Sequence, residues 1–289
     1  MSGPIFHTLV EAATLAAFRD HADWLVCDVR HQLADPAAGE RAYAAGHIPG
    51  AVFLHLDRDL SGPTNGRNGR HPLPDPERLA ALFSRIGINS ATQVVVYDDA
   101  GGMIAGRLWW LLRWLGHDRV ALLDGGYPAW LAAGSPVTGE VAPRPPTSFV
   151  PAIRNDMLAC ADEVLAGIGR LDGLVVDARS PDRFRGENEM LDPVGGHIPG
   201  ATNRFFKDNL DAEGLMRPPQ VLRDEYLRLA GDRPAAKLIH QCGSGVSACL
   251  NMVAMAHAGL DTGRLYAGSW SEWCTPGAGR PVEVTPRTA

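Results

Sequence analysis

One cysteine stands where its thiol could act as a nucleophile. Cys242 follows a short apolar run, residues 237–240, and begins the loop Cys-Gly-Ser-Gly-Val-Ser, after which residues 248–259 have a helical pattern. A loop between a strand and a helix N-terminus presents backbone N–H groups that stabilise an anion and lower a thiol pKa. Gly243 and Gly245 would let this backbone adopt positive φ and approach a ligand closely. On these features alone, a nucleophilic cysteine and a tight turn with an inert cysteine are equally good interpretations.

The other cysteines indicate no metal site and no disulfide framework. None of the five forms a CxxC pair, and a chain of 289 residues can bury its cores without covalent links. We expect Cys27, Cys160, Cys249 and Cys274 to be small packing residues, with no role assigned to Cys249 or Cys274. No metal and no other cofactor is expected.

The chain contains an internal duplication. The sequence GHIPGA occurs at residues 46–51 and again at 196–201, and each copy follows an apolar run that ends in Asp-x-Arg, at Arg30 and at Arg179. Matching glycines and tryptophans follow in both halves, and their spacing pairs Asp99 with Cys242. Because a carboxylate cannot form a persulfide, the first copy is expected to be catalytically silent.

Each copy predicts an α/β fold with a mainly parallel sheet flanked by helices. Short, almost wholly apolar runs, typical of buried parallel strands, alternate with helical patterns such as residues 76–86. A proline-rich tract at residues 138–151 predicts a linker. We therefore expect domains at residues 1–137 and 152–289, with ligands outside the carboxyl ends of the strands.

Charge and hydropathy exclude several classes of protein. The formal net charge of −6 disfavours a general nucleic-acid binder, and the longest apolar stretch, from Leu108, is short and is interrupted by Arg113. The start of the chain resembles neither a secretory signal nor a transit peptide. We expect a cytoplasmic protein that binds neither nucleic acid nor membrane.

Taken together, these motifs resemble the tandem-domain rhodaneses, and most closely their mercaptopyruvate sulfurtransferase branch. The resemblance rests on HIPGA in both halves, CGSGVSA at residues 242–248 and GSWSEW at residues 268–273. It implies two rhodanese-like domains and a ping-pong reaction. In that reaction the Cys242 thiolate takes sulfur from a small donor and passes it from a persulfide to cyanide or a thiol, with a thioredoxin-like reductant as one candidate acceptor.

The resemblance also implies roles for other residues. Ser244 matches a loop serine that relays a proton with a histidine and an aspartate of the first domain; His47 and, more weakly, Asp35 are the residues we match to these. Arg183 matches the arginine that binds the substrate. The remaining residues expected to contact the donor are Gly243, Gly245, Val246, Ser247 and Arg185.

The sequence departs from the family pattern in ways that bear on the donor. Family members that use thiosulfate usually have Arg and Lys after the cysteine, whereas Gly243 and Ser244 leave this loop neutral and favour a carboxylate donor. The family's second substrate arginine is missing from the segment EMLDPVG at 189–195, and Arg185 or Arg204 could replace it. Thiosulfate therefore stays the alternative donor.

Two further classes remain to be weighed against a sulfurtransferase. A phosphatase of the related cysteine-loop type would need an arginine six residues after Cys242, where Ala248 stands. A non-catalytic binding module is compatible with the fold, but it does not explain an intact cysteine loop.

Overall fold

The computed structural model describes residues 3–170 and 173–285, which divide into two compact units. Unit 1 comprises the described parts of residues 1–62, 74–154 and 212–216, and unit 2 those of 63–73, 155–211 and 217–289. The division therefore differs from the predicted one. Residues 138–151, predicted as a linker, belong to unit 1, and residues 63–73 from the first half of the chain belong to unit 2.

Unit 1 is a five-stranded parallel sheet flanked by helices. Its strands, in the spatial order β1-β5-β4-β2-β3, are β1 (Leu9–Val10), β2 (Trp24–Asp28), β3 (Val52–Phe53), β4 (Gln93–Tyr97) and β5 (Val120–Leu123). Its helices are α1 (Ala12–Phe18), α2 (Ala38–Ala45), α3 (Pro76–Arg85), α4 (Ala105–Trp114) and α5 (Gly126–Ala132).

Unit 2 repeats this topology in the spatial order β6-β10-β9-β7-β8. Its strands are β6 (Leu158–Ala159), β7 (Leu174–Asp177), β8 (Thr202–Asn203), β9 (Leu238–Gln241) and β10 (Arg264–Tyr266). Its helices are α6 (Ala161–Gly167), α7 (Pro181–Arg185), α8 (Pro219–Ala230), α9 (Ala248–His257) and α10 (Ser269–Trp273), with short 3-10 turns at Asn155–Met157, Phe206–Asn209 and Ala235–Lys237. The predicted α/β class with parallel sheets is confirmed.

The central strands are buried on both faces, which is why they are mostly apolar in the sequence, although β9 also buries His240 and Gln241. Every residue of β2, β4 and β9 is buried, and the hydrophobic clusters of the two units are closed by Trp130 and Trp273, both fully buried. Helix α3 begins where the sequence predicts, because the Asp75 side chain accepts hydrogen bonds from the N–H groups of Glu77 and Arg78.

The repeated Asp-x-Arg and GHIPGA motifs are joined by a buried ion pair in each unit. Arg30 donates to the carboxylate of Asp28 and to the carbonyl of Gly46. In unit 2, Arg179 donates in the same way to Asp177 and to the carbonyl of Gly196. Each arginine thus ties the end of a central strand to the turn that leads into the next strand, so these motifs position the backbone.

Strand register corrects the residue that corresponds to Cys242 in unit 1. Asp28 pairs with Tyr97 in the same way as Asp177 pairs with Gln241, so the next residues, Asp98 and Cys242, correspond. The prediction of Asp99 was wrong by one position, because the loop before α4 is one residue longer than the loop before α9. The spacing of the later glycines and tryptophans does not hold across that insertion.

Asp98 occupies the loop that follows its own strand. Its carboxylate accepts hydrogen bonds of 2.8–2.9 Å from the N–H groups of Ala100, Gly102, Ile104 and Ala105. The backbone donors that could hold an external anion in unit 1 are therefore saturated by a side chain of the same loop.

We predict that Asp98→Ala destabilises unit 1, whereas Asp99→Ala does not. Removing the buried carboxylate leaves several N–H groups unpaired and should cost roughly 3–5 kcal/mol, because hydrogen bonds to a charged group contribute most. The exposed Asp99 should change stability by less than about 0.5 kcal/mol. Hydrogen exchange of peptides from β4 and α4 measures the local effect. Equal protection in the two variants would contradict the assigned register.

Candidate active site

Cys242 is the first residue after β9 and is almost completely buried, with 2% of its surface exposed. Its N–H donates to the Ser269 hydroxyl at 3.1 Å, and its carbonyl accepts from the N–H of Trp270 at 3.0 Å. The cysteine backbone is thus fixed from both sides by the start of α10.

Ser269 holds this position in a strained conformation. Its φ of +54° is unusual for a residue with a side chain, and the corresponding position in unit 1 is Gly126, with φ +60°. The Ser269 hydroxyl, which accepts from Cys242, also donates to the carbonyl of Tyr266 at 2.9 Å. A serine at a position suited to glycine therefore provides a hydroxyl that binds the cysteine backbone.

The loop after Cys242 presents backbone donors that the protein itself does not use. Within the described residues, the N–H groups of Gly243, Ser244, Val246 and Ser247 find no hydrogen-bond acceptor. This is the reverse of unit 1, where the Asp98 carboxylate saturates the corresponding loop. Together with the N-terminus of α9, these groups can stabilise a negative sulfur.

Gly245 allows the loop to turn. Its φ is +73°, and a Cβ at this position would lie 2.3 Å from the carbonyl oxygen of Ala267. Any other residue would therefore be strained in conformation and would also collide with the backbone before α10.

Ser244 forms a hydrogen bond with a histidine that the sequence analysis did not select. The Nδ1 atom of His71 lies 2.7 Å from the Ser244 hydroxyl, and both side chains are buried. His71 lies in residues 63–73, which belong to unit 2. A serine bonded to an imidazole beside the cysteine loop can relay a proton to or from a bound ligand.

His47 has a scaffold role in the structure. Its ring stacks on Tyr43, Nδ1 donates to the Tyr43 carbonyl at 2.7 Å, and Nε2 lies 3.2 Å from the carbonyl of Glu140. His197 of the second GHIPGA copy repeats this arrangement, since it stacks on Phe184 and donates to its carbonyl at 2.7 Å. The same contacts in both copies show that this histidine belongs to the turn, and they do not support a proton relay through His47.

Three other predicted side chains are engaged in ion pairs. Asp35 is exposed and pairs with Arg41, which lowers the pKa of the Asp35 carboxyl. Arg185 forms a bidentate ion pair with Glu187 near the surface. The guanidinium of Arg204 is held by Glu225 at 2.7 Å and lies over the Tyr226 ring. The structure therefore gives no support to Arg185 or Arg204 as a second substrate arginine.

Arg183 lies at the cysteine loop and is oriented by acids. Its Nε and Nη2 donate to the two oxygens of Glu189 at 3.0 and 2.9 Å, and Nη2 also reaches Asp192 at 3.2 Å. Burial alone would raise the pKa of Glu189, but hydrogen bonds from Arg183 and a backbone N–H bring it below its usual range. The Nη1 atom faces Gly243, 3.6 Å from where a Cβ would stand.

A second arginine approaches the same glycine. The Nη2 atom of Arg70 lies 2.8 Å from the Cβ position of Gly243, and Nη1 pairs with Asp192. The backbone N–H of Arg70 donates to the Ser271 hydroxyl at 3.1 Å. Two guanidinium groups therefore converge on the residue after the cysteine.

The buried thiols other than Cys242, and His240, lie in environments that disfavour reaction. Burial raises the pKa of Cys27 to about 12 and that of Cys274 to about 11, and Cys249 is buried with its thiol 3.4 Å from the Gly245 carbonyl. Cys160 is exposed. Burial lowers the pKa of His240, in β9, to about 3, so this ring stays neutral near pH 7.

One group of side chains has the composition of a metal site. Ligand atoms of His31, His55 and Asp57 lie within 4.8 Å of one another. The Nδ1 atom of His55, however, accepts from the N–H of Asp57 at 3.1 Å and that of Arg58 at 3.4 Å, which occupies the lone pair that a metal would need. In this group the His55 ring therefore serves to hold the backbone of residues 57 and 58 in unit 1.

His71 and Arg70 could not be recognised from the repeated motifs, because both lie in a segment without a counterpart in the duplication. The segment GRNGRHPLP, residues 66–74, has the glycines, asparagine and prolines of a loop. The only hint in the sequence was that two basic residues, Arg70 and His71, directly precede a proline within this loop. Among the described residues, no helix is long and apolar enough to cross a membrane.

Comparisons with known proteins agree with the duplicated architecture. The family model of the rhodanese-like domain matches residues 11–133 and 161–276. A probable 3-mercaptopyruvate sulfurtransferase of Pseudomonas aeruginosa is 47% identical, with 92% of this chain and 95% of the relative covered. A putative thiosulfate sulfurtransferase, SseB, of Mycobacterium tuberculosis is 40% identical over 95% of this chain and 96% of its own length.

A solved structure shows the same fold. SseA from Escherichia coli, described as a 3-mercaptopyruvate sulfotransferase, superposes with a TM-score of 0.78 at 31% identity, covering 92% of this chain and 100% of that chain. With two matching family domains and relatives that align over nearly their whole length, this chain belongs to the rhodanese family.

Proposed function

We propose that the protein is a sulfurtransferase that moves sulfur from 3-mercaptopyruvate to a small nucleophilic acceptor through a persulfide on Cys242. The observation that carries this proposal is the difference between the two loops. In unit 1 the backbone donors hold the Asp98 carboxylate, whereas in unit 2 a thiol stands at the corresponding position and the donors have no described acceptor. The second loop is therefore suited to a sulfur anion that changes between thiolate and persulfide.

In the first half-reaction the Cys242 thiolate attacks the sulfur of the donor. A sulfur–sulfur bond forms, the carbon–sulfur bond of the donor breaks, and the electron pair passes to the carbon to give the enolate of pyruvate. A proton then converts the enolate to pyruvate. The loop N–H groups stabilise the negative sulfur throughout, as preorganised donors that need no rearrangement.

The Ser244–His71 pair is suited to handle that proton. The Ser244 hydroxyl is within the cysteine loop, and its 2.7 Å contact with Nδ1 of His71 allows a proton to pass between them. We therefore assign the histidine of the relay to His71 in place of His47. No aspartate is assigned, since Asp35 is engaged with Arg41.

In the second half-reaction an acceptor attacks the outer sulfur of the persulfide. With cyanide, a carbon–sulfur bond forms, the sulfur–sulfur bond breaks, and the Cys242 thiolate is restored as thiocyanate leaves. A thiol acceptor takes the sulfur in the same way, and a thioredoxin-like protein is one acceptor with the required chemistry.

Charge around the loop favours a monoanionic donor over thiosulfate. Arg183 and Arg70 bring two positive charges, and the neighbouring Glu189 and Asp192 carry two formal negative charges that cancel them. A carboxylate carries a single negative charge, for which Arg183 still has its Nη1 donor available, whereas a dianion needs additional positive charge. The 40%-identical relative named as a putative thiosulfate sulfurtransferase keeps thiosulfate as the second candidate.

We predict that Cys242→Ser abolishes sulfur transfer while the fold remains intact, because a hydroxyl is a poor nucleophile toward sulfur at neutral pH. After incubation with 3-mercaptopyruvate, intact mass spectrometry should show one added sulfur on the wild type and none on this variant. The Cys27→Ala, Cys160→Ala, Cys249→Ala and Cys274→Ala variants are the controls, and each should keep the adduct. A control that loses it would identify a different sulfur carrier.

We predict that His71→Ala lowers kcat by roughly a hundredfold or more, the usual contribution of a proton-transfer group. His47→Asn keeps a donor near the Tyr43 carbonyl, so it should alter thermal stability while kcat stays within about threefold of the wild type. The pH profile of kcat is the second measurement, because loss of a relay changes its shape and loss of packing does not. A large kcat defect confined to His47→Asn would instead identify His47 as the histidine of the proton relay.

We predict a kcat/KM roughly tenfold or more higher for 3-mercaptopyruvate than for thiosulfate, since each charge-assisted hydrogen bond contributes about 1.5–3 kcal/mol. Arg183→Ala should raise KM for 3-mercaptopyruvate more strongly than it lowers stability, although it removes a partner of the buried Glu189 and Asp192 carboxylates. Parallel steady-state assays with the two donors decide the point. Equal or better efficiency with thiosulfate would refute this donor while the persulfide mechanism remained.

A further inference from the structure

We propose that Arg70 is the second substrate arginine of this enzyme, and that Arg70 Nη2 and Arg183 Nη1 together bind the donor's carboxylate beside Gly243. The proposal rests on the proposed function, because it specifies how the same site holds its donor. It also assigns a role to a residue from the first half of the chain, in the segment 63–73 that folds with unit 2.

The two guanidinium groups meet beside the residue that follows the reacting cysteine. Gly243 directly follows Cys242, and its Cβ position lies 2.8 Å from Arg70 Nη2 and 3.6 Å from Arg183 Nη1. A carboxylate bound by both groups would therefore be next to the cysteine. In 3-mercaptopyruvate the carboxylate is separated from the sulfur by only two carbons, so this placement brings the sulfur to the thiolate.

The hydrogen bonds that each arginine makes within the protein leave one of its terminal nitrogens available for a substrate. Arg183 uses Nε and Nη2 on Glu189 and Asp192, and Arg70 uses Nη1 on Asp192. Among the described residues, Arg183 Nη1 and Arg70 Nη2 have no acceptor, and both face Gly243. Asp192 thus holds one nitrogen of each guanidinium group, while Arg183 Nη1 and Arg70 Nη2 remain available near Gly243.

Arg70 is fixed in position by its backbone. Its N–H donates to the Ser271 hydroxyl, and the preceding Gly69 has φ +82°. A Cβ on Gly69 would lie 2.7 Å from the Gly268 carbonyl, so only glycine permits this close approach. The segment is therefore held against the turn that also holds Cys242, which limits the motion of the guanidinium group.

The alternatives for a second arginine are occupied elsewhere. The segment EMLDPVG, residues 189–195, contains no arginine, Arg185 pairs with Glu187, and Arg204 pairs with Glu225. The same segment instead contributes Asp192, which pairs with Arg70. An acid here orients an arginine from another part of the sequence, so a second guanidinium group is present at the site.

Gly243 and Arg70 depend on each other. A methyl group at position 243 would lie 2.8 Å from Arg70 Nη2, which is the flexible end of a long side chain. Gly243→Ala should therefore displace Arg70 without disturbing the backbone of the loop. The absence of a side chain after the cysteine leaves the space that the arginine uses.

The test is a double-mutant cycle with Arg70→Met and Gly243→Ala, measured with 3-mercaptopyruvate as donor and cyanide as acceptor. Arg70→Met should lower kcat/KM for the donor by about ten- to a hundredfold, because one charged hydrogen-bonding partner is lost. Gly243→Ala should cause a similar loss in the wild type and little further loss in the Arg70→Met background. Arg70→Lys should fall between the wild type and Arg70→Met, since it keeps the charge but lacks the planar guanidinium group that can reach Asp192 and the carboxylate together.

Two controls separate donor binding from a general defect. Arg67→Met removes an exposed arginine of the same segment and should leave kcat/KM for both substrates within about twofold. In every Arg70 variant, kcat/KM for cyanide should change by less than about threefold, and the inhibition constant of pyruvate should rise in proportion to the loss with the donor.

Three outcomes would overturn the proposal. They are a donor kcat/KM for Arg70→Met equal to that of Arg67→Met, an equal loss with donor and cyanide, and additive effects of Arg70→Met and Gly243→Ala. Failure of the proposed function would give a distinct result. The wild-type protein itself would then gain no sulfur from 3-mercaptopyruvate or thiosulfate, so the variants would have no activity to compare. Thermal melting of each variant verifies that the fold is retained.

Discussion

The structure depends on an anion held by backbone N–H groups at the carboxyl end of a buried parallel strand. Such groups cannot be left unpaired within a protein without cost, so the loop needs a negative partner. In unit 1 that partner is the Asp98 carboxylate, which accepts four of these hydrogen bonds. In unit 2 the partner must be the sulfur of Cys242 or a ligand bound to it. One architecture therefore gives a rigid scaffold in one unit and a reactive site in the other.

The same constraint explains the strain at Ser269. Its counterpart Gly126 adopts positive φ easily, and a serine there costs on the order of 1 kcal/mol or more. The hydroxyl gained in exchange accepts from the N–H of Cys242 and so fixes the reacting residue. Strain of this kind at a single non-glycine residue next to a nucleophile is expected where position matters more than stability.

Acidic and basic side chains alternate around the site, and this order determines which nitrogens of the arginines can bind a substrate. Asp177 holds Arg179, Glu189 lies between Arg179 and Arg183, and Asp192 lies between Arg183 and Arg70. Buried or half-buried arginines with fixed carboxylate partners lose little further freedom when they bind a substrate. The acids also cancel most of the positive charge. The site is thereby suited to one carboxylate, although it contains more arginines than the loop sequence suggests.

Much of the fold could be predicted from the sequence because it depends on local and repeated patterns. Apolar runs predicted the buried strands, and the cysteine loop could be assigned to the end of β9. Asp99 was chosen in place of Asp98 since a one-residue insertion is invisible in motif spacing and appears only in strand register. Arg70 and His71 could not be placed, because their segment leaves the first half of the chain to fold with unit 2.

Duplication offers a physical criterion that separates scaffold from function. A residue kept in both copies satisfies a requirement of the shared fold, as His47 and His197 do through identical stacking and carbonyl contacts. Chemistry occurs in only one copy, so its residues must lie where the copies differ. Cys242 against Asp98, Ser269 against Gly126 and the unmatched segment with Arg70 all meet that condition. By this criterion His47, the histidine of a motif present twice, belongs with the scaffold, which favours His71 for the proposed proton relay.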